Sequence, residues 1–392
     1  MVRSELRDLF LSFVRLGIGR QLVSSFKFQV LGEVDWVQLK ALADQHGLSA
    51  VVLDGINEVR KYNDNVLHGS EGDTACDQHG ANFDFNIPQA MLLQWIGEVM
   101  QSYEQRFVQY KNAIASLAGW YNQHGYKMMV LKGYGCSLNW PRPEHRPCGD
   151  LDIWLFGKQK NADAVLAKEK GVKIDISHHH HTVFEWQEFT VENHYDFLNV
   201  HHHKSNVELE KILKELGQDD SHYVEVYREK VYLPSANLHA LFLLRHAMSN
   251  FASTGIKLRQ LLDWAFFVEK HGEEIDWEWL ENMLERFGMK KLYEVFNAIC
   301  VEALGFDSLT FRVARLGLVK SVEFDKLKDR VLNDILEPEF SEKESGGFFS
   351  RALFKCRRWK ANAWKHELCF SETLRSAFWS GVKGHLMKPA SI

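Results

Sequence analysis

The sequence predicts an α+β fold in which a small mixed sheet lies between two mainly helical regions. Strand-like alternation of apolar and polar residues is confined to a window from about Tyr126 to His203. Apolar residues spaced by three and four, the signature of amphipathic helices, flank that window on both sides. The third observation is a single stretch, Met128 to Phe156, in which two apolar runs bracket Lys132-Gly133, a Pro/Arg-rich loop and the pair Asp150 and Asp152. The chain is therefore expected to divide into a helical region over 1–125, a mixed core over 126–233, a second helical region over 234–345 and a basic, aromatic tail over 346–392.

In the first region Leu6, Leu9, Phe10 and Phe13 recur at helical spacing, and Trp36, Leu39, Leu42 and Ala43 repeat it behind Asp35, an expected helix cap. From Tyr62 to Asn86 the residues turn to Asn, Asp, Gly, Ser and His, which predicts a loop. One long helix is expected from Pro88 to about His124, with Pro88 in its first turn and Gly125 as its stop. Beyond Asp152, the run from Gly157 to Gly171 predicts a crossing helix, and His181 to Trp186 and Phe189 to His194 predict two strands separated by Gln187-Glu188. Residues after Pro234 predict successive amphipathic helices. The tail from Gly346 carries nine Lys/Arg against two Glu, interleaved with eight Phe/Trp. Its aromatics are expected to pack on the helical region, because large exposed apolar clusters are rare on monomers; peripheral contact with an anionic membrane is the lesser alternative.

Composition narrows the function. With 392 residues, 45% hydrophobic and 25% charged, the chain can bury a full core. A net charge of −5 excludes a protein-wide basic field of the kind that binds nucleic acid. The six cysteines are scattered without a CxxC pair, so neither a disulfide framework nor a cysteine zinc site is indicated. No apolar run reaches the roughly 18 residues of a membrane span, and the N-terminus is too charged for a signal peptide, which predicts a cytoplasmic protein.

Residues two apart on a strand point to one side, so Asp150 and Asp152 are expected to present two carboxylates on one face. Mg²⁺ suits such a pair, because it takes a few carboxylate oxygens together with phosphate oxygens and water. A glycine such as Gly133 at a strand-to-helix turn lets backbone amides approach a phosphate. The combination implies a nucleotide site. In the second strand of the later pair, Thr190, Glu192 and His194 share a face, making Glu192 the candidate third carboxylate with His194 beside it. Glu208 and Glu210 are the rival pair, but KILKEL marks their segment as the start of a helix. The runs His178 to His181 and His201 to His203 offer transition-metal ligands; neighbouring histidines on a strand point to opposite faces, so the expectation is that they do not all reach one ion.

The combination of LKG, RPCGDLDI, VENH and GIKLRQLLDWA resembles the uncharacterised bacterial nucleotidyltransferases of nucleotidyltransferase family 5, within the superfamily built on a DNA polymerase β-like core. The resemblance spans roughly Trp36 to Gly305. It implies that Gly133 is the turn glycine, that Asp150, Asp152 and Glu192 are the catalytic and metal-binding acids, and that Lys132 and Arg146 are the family's lysine and arginine. Lys132-Gly133-Tyr134-Gly135 stands where the superfamily has Gly-Gly or Gly-Ser. The implied reaction moves a nucleoside monophosphate from an NTP, ATP among them, to an acceptor hydroxyl or phosphate with release of pyrophosphate. Mg²⁺ or Mn²⁺ is the implied cofactor, and Lys132, Gly133, Arg146, Gly149 and His194 would surround the nucleotide. The acceptor class is open among small molecules, sugars, RNA ends and proteins. Two other readings compete: a histidine-metal hydrolase turning on His180 or His202, and a catalytically silent protein that docks through the tail. Retention of all three acids speaks against the last.

Overall fold

The computed structural model describes residues 3–21, 34–68, 87–201, 203–312, 321–338, 348–377 and 379–380. Helices α1 (Arg3–Gly17), α2 (Trp36–His46) and α3 (Ser49–His68) open the chain. Asp35 caps α2 as expected, its carboxylate accepting from the Gln38 amide at 2.9 Å. The loop expected from Tyr62 begins instead as helix, since α3 runs on to His68; residues 69–86 lie outside the described residues. Pro88 precedes α4 (Gln89–Val99), and a π-helical segment, Met100–Gln105, separates it from α5 (Arg106–Gln123), so the single long helix expected here is interrupted in its middle.

The sheet follows with its helices. Strand β1 (Met129–Val130) leads through Gly133 into the short α6 (Tyr134–Ser137), β2 (Leu151–Trp154) is followed by α7 (Gln159–Lys170), and β3 (His181–Trp186) and β4 (Phe189–His194) form a hairpin before α8 (Lys204–Leu216). A second hairpin, β5 (Tyr223–Val226) and β6 (Glu229–Tyr232), completes a six-stranded sheet of order β3-β4-β2-β1-β6-β5. The strand window predicted to end near His203 thus extends to Tyr232. The second hairpin escaped the sequence because its turn residues, Tyr227 and Arg228, sit at φ 50° and 72° without the Asn or Gly that marks such turns.

Alternation gives the sheet two unlike faces. Val130, Leu151, Ile153, Phe184 and Val191 share one core with Tyr110, Ile114 and Leu117 of α5 and Leu166 of α7. Met129, Leu131 and Trp154 belong to the larger core, together with α1 to α3 and the helices α9 (Ala236–Ser253), α10 (Leu258–His271), α11 (Trp277–Arg286), α12 (Lys290–Glu302) and α13 (Val322–Leu336). The N-terminal and C-terminal helices therefore share one continuous apolar interior. His46 illustrates the join, donating to the Leu336 carbonyl (3.2 Å) and accepting from the Leu258 amide (3.1 Å).

Helices α14 (Phe348–Ala361) and α15 (Ala363–Cys369) carry the basic tail. Lys365 is buried and pairs with the buried Asp334 at 2.6 Å, and the Glu372 carboxylate accepts from the Ser205 amide at 2.8 Å. Phe354, Leu368, Cys369 and Phe370 are buried, whereas Trp359 and Trp379 are exposed. Among the described residues no helix is long and apolar enough to cross a membrane.

Candidate active site

Strand register assembles the acids. β2 and β4 are parallel neighbours, and Asp152 stands opposite Glu192 while Trp154 stands opposite His194. β3 runs antiparallel to β4 with His181 opposite His194. All four polar side chains thereby fall on the sheet face that turns toward the C-terminal helices.

Asp152 is the centre of the cluster. Its carboxylate lies 2.7 Å from Lys132 Nζ and 3.2 Å from His194 Nε2. Burial alone raises its pKa, but the Lys132 and His194 contacts more than offset this and hold the carboxyl well below the usual carboxylate range. Glu192 is shifted the other way, upward, by burial and by the Asp152 charge. One donor atom from each of Asp152, Glu192 and His194 lies within 4.8 Å of the others, an arrangement able to hold a metal ion. Asp150 lies outside that group: it is exposed, just ahead of β2, and its pKa is raised by burial and by Asp152.

Gly133 occupies a position that admits little else. Its φ is 53° and ψ −105°, and a Cβ there would meet Tyr110 Oη at 2.3 Å. That hydroxyl donates to the Asp150 carbonyl at 2.8 Å, tying α5 to the start of β2. Gly149 is different, because a Cβ on it would meet nothing within 4 Å. Arg146 is engaged by a residue to which the sequence reading gave no role: its Nε and Nη2 lie 2.7 and 2.9 Å from the two carboxylate oxygens of Asp263, on α10. Trp140 Nε1 donates to the same carboxylate at 2.9 Å. The fork expected to meet phosphate is held in an internal ion pair, while Arg146 and Gly149 both line the adjoining cleft.

A cleft of about 180 Å³ opens beside these groups, lined by Lys132, Gly133, Asp150 and Asp152 from the sheet side and by His246, Arg259 and Gln260 from the C-terminal helices. Arg259 is the cation most available there. It donates to the Pro147 carbonyl at 3.3 Å, and its pKa is lowered by burial and by the neighbouring Arg146.

Residues 32–305 match the family model described as uncharacterised nucleotidyltransferase. The chain belongs to that family. A solved structure, an antigenic nucleotidyltransferase-like protein from Paracoccidioides brasiliensis, is similar to this nucleotidyltransferase-family chain at 14% identity and a TM-score of 0.32, over 52% of this chain and 96% of that one. No curated protein matches the chain. The residues missed in this family member, Arg259 and Asp263, are four apart in GIKLRQLLDWA, the spacing that puts both on one helix face. An arginine and an aspartate at that spacing within Leu258 to Val268, a run otherwise apolar but for Gln260, were the available signal.

Proposed function

We propose that the chain is a divalent-metal-dependent nucleotidyltransferase, joining a nucleoside monophosphate from an NTP to an acceptor hydroxyl or phosphate and releasing pyrophosphate. The observation that carries this reading is the in-register pair Asp152 and Glu192 beside Lys132, with Asp152 and Lys132 lining a cleft that Arg259 also lines. The donor set fits Mg²⁺ or Mn²⁺: two carboxylates stand within reach of each other, and the imidazole beside them suits Mn²⁺ in particular. Asp152 and Glu192 would hold the ion, with His194 as a nitrogen donor and Asp150 a further carboxylate from the cleft side. Bound there, the ion supplies Lewis-acid neutralisation of phosphate charge and acidifies the acceptor.

The side chains divide the remaining work. Lys132, now on Asp152, is placed to counter phosphate charge as a point cation, and Arg259, lining the same cleft from α10, can add to it. The acceptor oxygen attacks the α-phosphorus, the bond from that phosphorus to the pyrophosphate oxygen breaks, and the acceptor proton passes to the Glu192 carboxylate. The Gly133 turn brings backbone close to the phosphates where a side chain would collide with Tyr110.

The test is a screen of the four NTPs with Mg²⁺ or Mn²⁺, reading pyrophosphate release and label transfer to candidate acceptors, the protein included. Asp152→Asn and Glu192→Gln, checked for folding by circular dichroism, should each lose on the order of 10²–10³-fold in rate. Normal turnover in the double variant would defeat the assignment.

A further inference from the structure

The histidine-rich bend before β3 has no part in the transfer chemistry, yet it is built like a ligand set. Three imidazoles converge there, with ring centroids 4.2 Å apart for His180 and His181, 5.2 Å for His181 and His194, and 5.6 Å for His180 and His194. A ring nitrogen from each lies within 4.8 Å of the others. Of the two histidine runs only His180 and His181 join this group, and they approach each other for a local reason. His178 to His180 form a bend rather than strand, and the His180 carbonyl accepts from the Tyr195 and Asp196 amides at 3.1 and 3.0 Å, which folds His180 back over the end of the hairpin.

Two further observations point to a bound cation. His181 has a side chain only 7% exposed, and its Nδ1 has no hydrogen-bond partner among the described residues; the Glu192 carboxylate is 3.9 Å away, beyond bonding reach. His194 Nδ1 lies 3.1 Å from the Asp196 carbonyl, which accepts from it and aims the ring so that Nε2 faces the carboxylates of Asp152 and Glu192, at 3.2 and 3.8 Å. Metal-ligating histidines characteristically donate their other N–H to a carbonyl, which fixes the tautomer and aims the ring.

We propose that His180, His181 and His194 form a site for a borderline transition-metal ion of the Zn²⁺ class, with the Glu192 carboxylate as fourth donor. Imidazole nitrogens with one carboxylate are the donors such an ion takes and Mg²⁺ does not. Metal–nitrogen bonds of about 2.1 Å place tetrahedral donors roughly 3.4 Å apart, so a bound ion would draw the three imidazoles, now within 4.8 Å of one another, closer together, with Glu192 at 3.9 Å from His181 and 3.8 Å from His194. Because His194 is shared, occupancy withdraws it from Asp152. The site stands whether or not the chain transfers nucleotides.

The experiment uses the full chain, freed of metal with a chelator and titrated with Zn²⁺ in millimolar Mg²⁺, with affinity from calorimetry and stoichiometry from elemental analysis. One tightly held Zn²⁺ per chain is expected, and Co²⁺ in its place should give the visible absorption of a four-coordinate ion. His180→Ala and His181→Ala should each weaken binding by roughly 100-fold or more, since loss of groups that merely orient a ligand already costs 10–100-fold. His201→Ala, in the other histidine run, should leave it unchanged. His180 is half-exposed, so its variant remains informative if His181→Ala fails to fold. Unchanged affinity in His180→Ala overturns the proposal, as does equal loss in His201→Ala, or displacement of Zn²⁺ by Mg²⁺, which would place the ion on the carboxylates instead.

Discussion

Replacing Arg146 by methionine should destabilise the protein far more than the loss of one surface arginine would. The guanidinium meets Asp263 through two parallel hydrogen bonds, at 2.7 and 2.9 Å, and the two side chains are only 7% and 8% exposed. In Arg146→Met the Asp263 carboxylate keeps the Trp140 N–H at 2.9 Å but loses its countercharge, and it remains buried between the core and α10. An uncompensated buried charge of this kind costs about 3–5 kcal/mol, whereas replacing both partners by apolar groups is often close to neutral. The double variant Arg146→Met, Asp263→Leu should therefore recover most of the loss and end within about 1–2 kcal/mol of the parent. Urea unfolding followed by tryptophan fluorescence measures both, with Trp140 reporting from the site itself. A cost below about 1 kcal/mol in Arg146→Met, or a double variant no better than the single one, would refute the view that this pair locks the Pro/Arg loop onto the C-terminal helices.

Two other outcomes follow from the same structure. His46 donates through one ring nitrogen and accepts from the Leu258 amide through the other, so its neutral form is satisfied and burial pushes its pKa down to about 4. The unfolded chain binds that proton near pH 6.5, so the contribution is whole above that value, falls as pH drops from 6.5 toward 4, and totals about 3 kcal/mol; His46→Gln should flatten this part of the stability profile, and an unchanged slope would remove His46 from it. Gly133→Ala should lose about 1–3 kcal/mol of stability through its positive φ and the clash with the Tyr110 hydroxyl. The same change in a Tyr110→Phe background should cost less, and equal cost in both backgrounds would assign the whole effect to the backbone.

The sequence by itself determined the fold class, the order of most elements and which acids lie in strand-like segments. These are local properties: alternation marks strands, spacing by three and four marks helices, and the Lys-Gly turn before Asp-x-Asp marks a site. Glu192 was separated from Glu208 on the same grounds, because one lies in a strand pattern and the other in α8. What only the tertiary structure decided depends on pairing across the chain. Register alone puts Asp152 opposite Glu192 and His181 opposite His194. Arg146 shows no partner in the sequence, and only the fold brings Asp263, 117 residues away, onto its fork. Which of the run histidines approach His194 is set by the bend at 178–180, which returns His180 to the hairpin end. The hairpin β5-β6 lacks the usual turn residues and is held by partners in β1 and α5 rather than by its own turn. A side chain's role is set by which charges and hydrogen-bond partners face it after folding, and those partners come from elements far apart in the sequence.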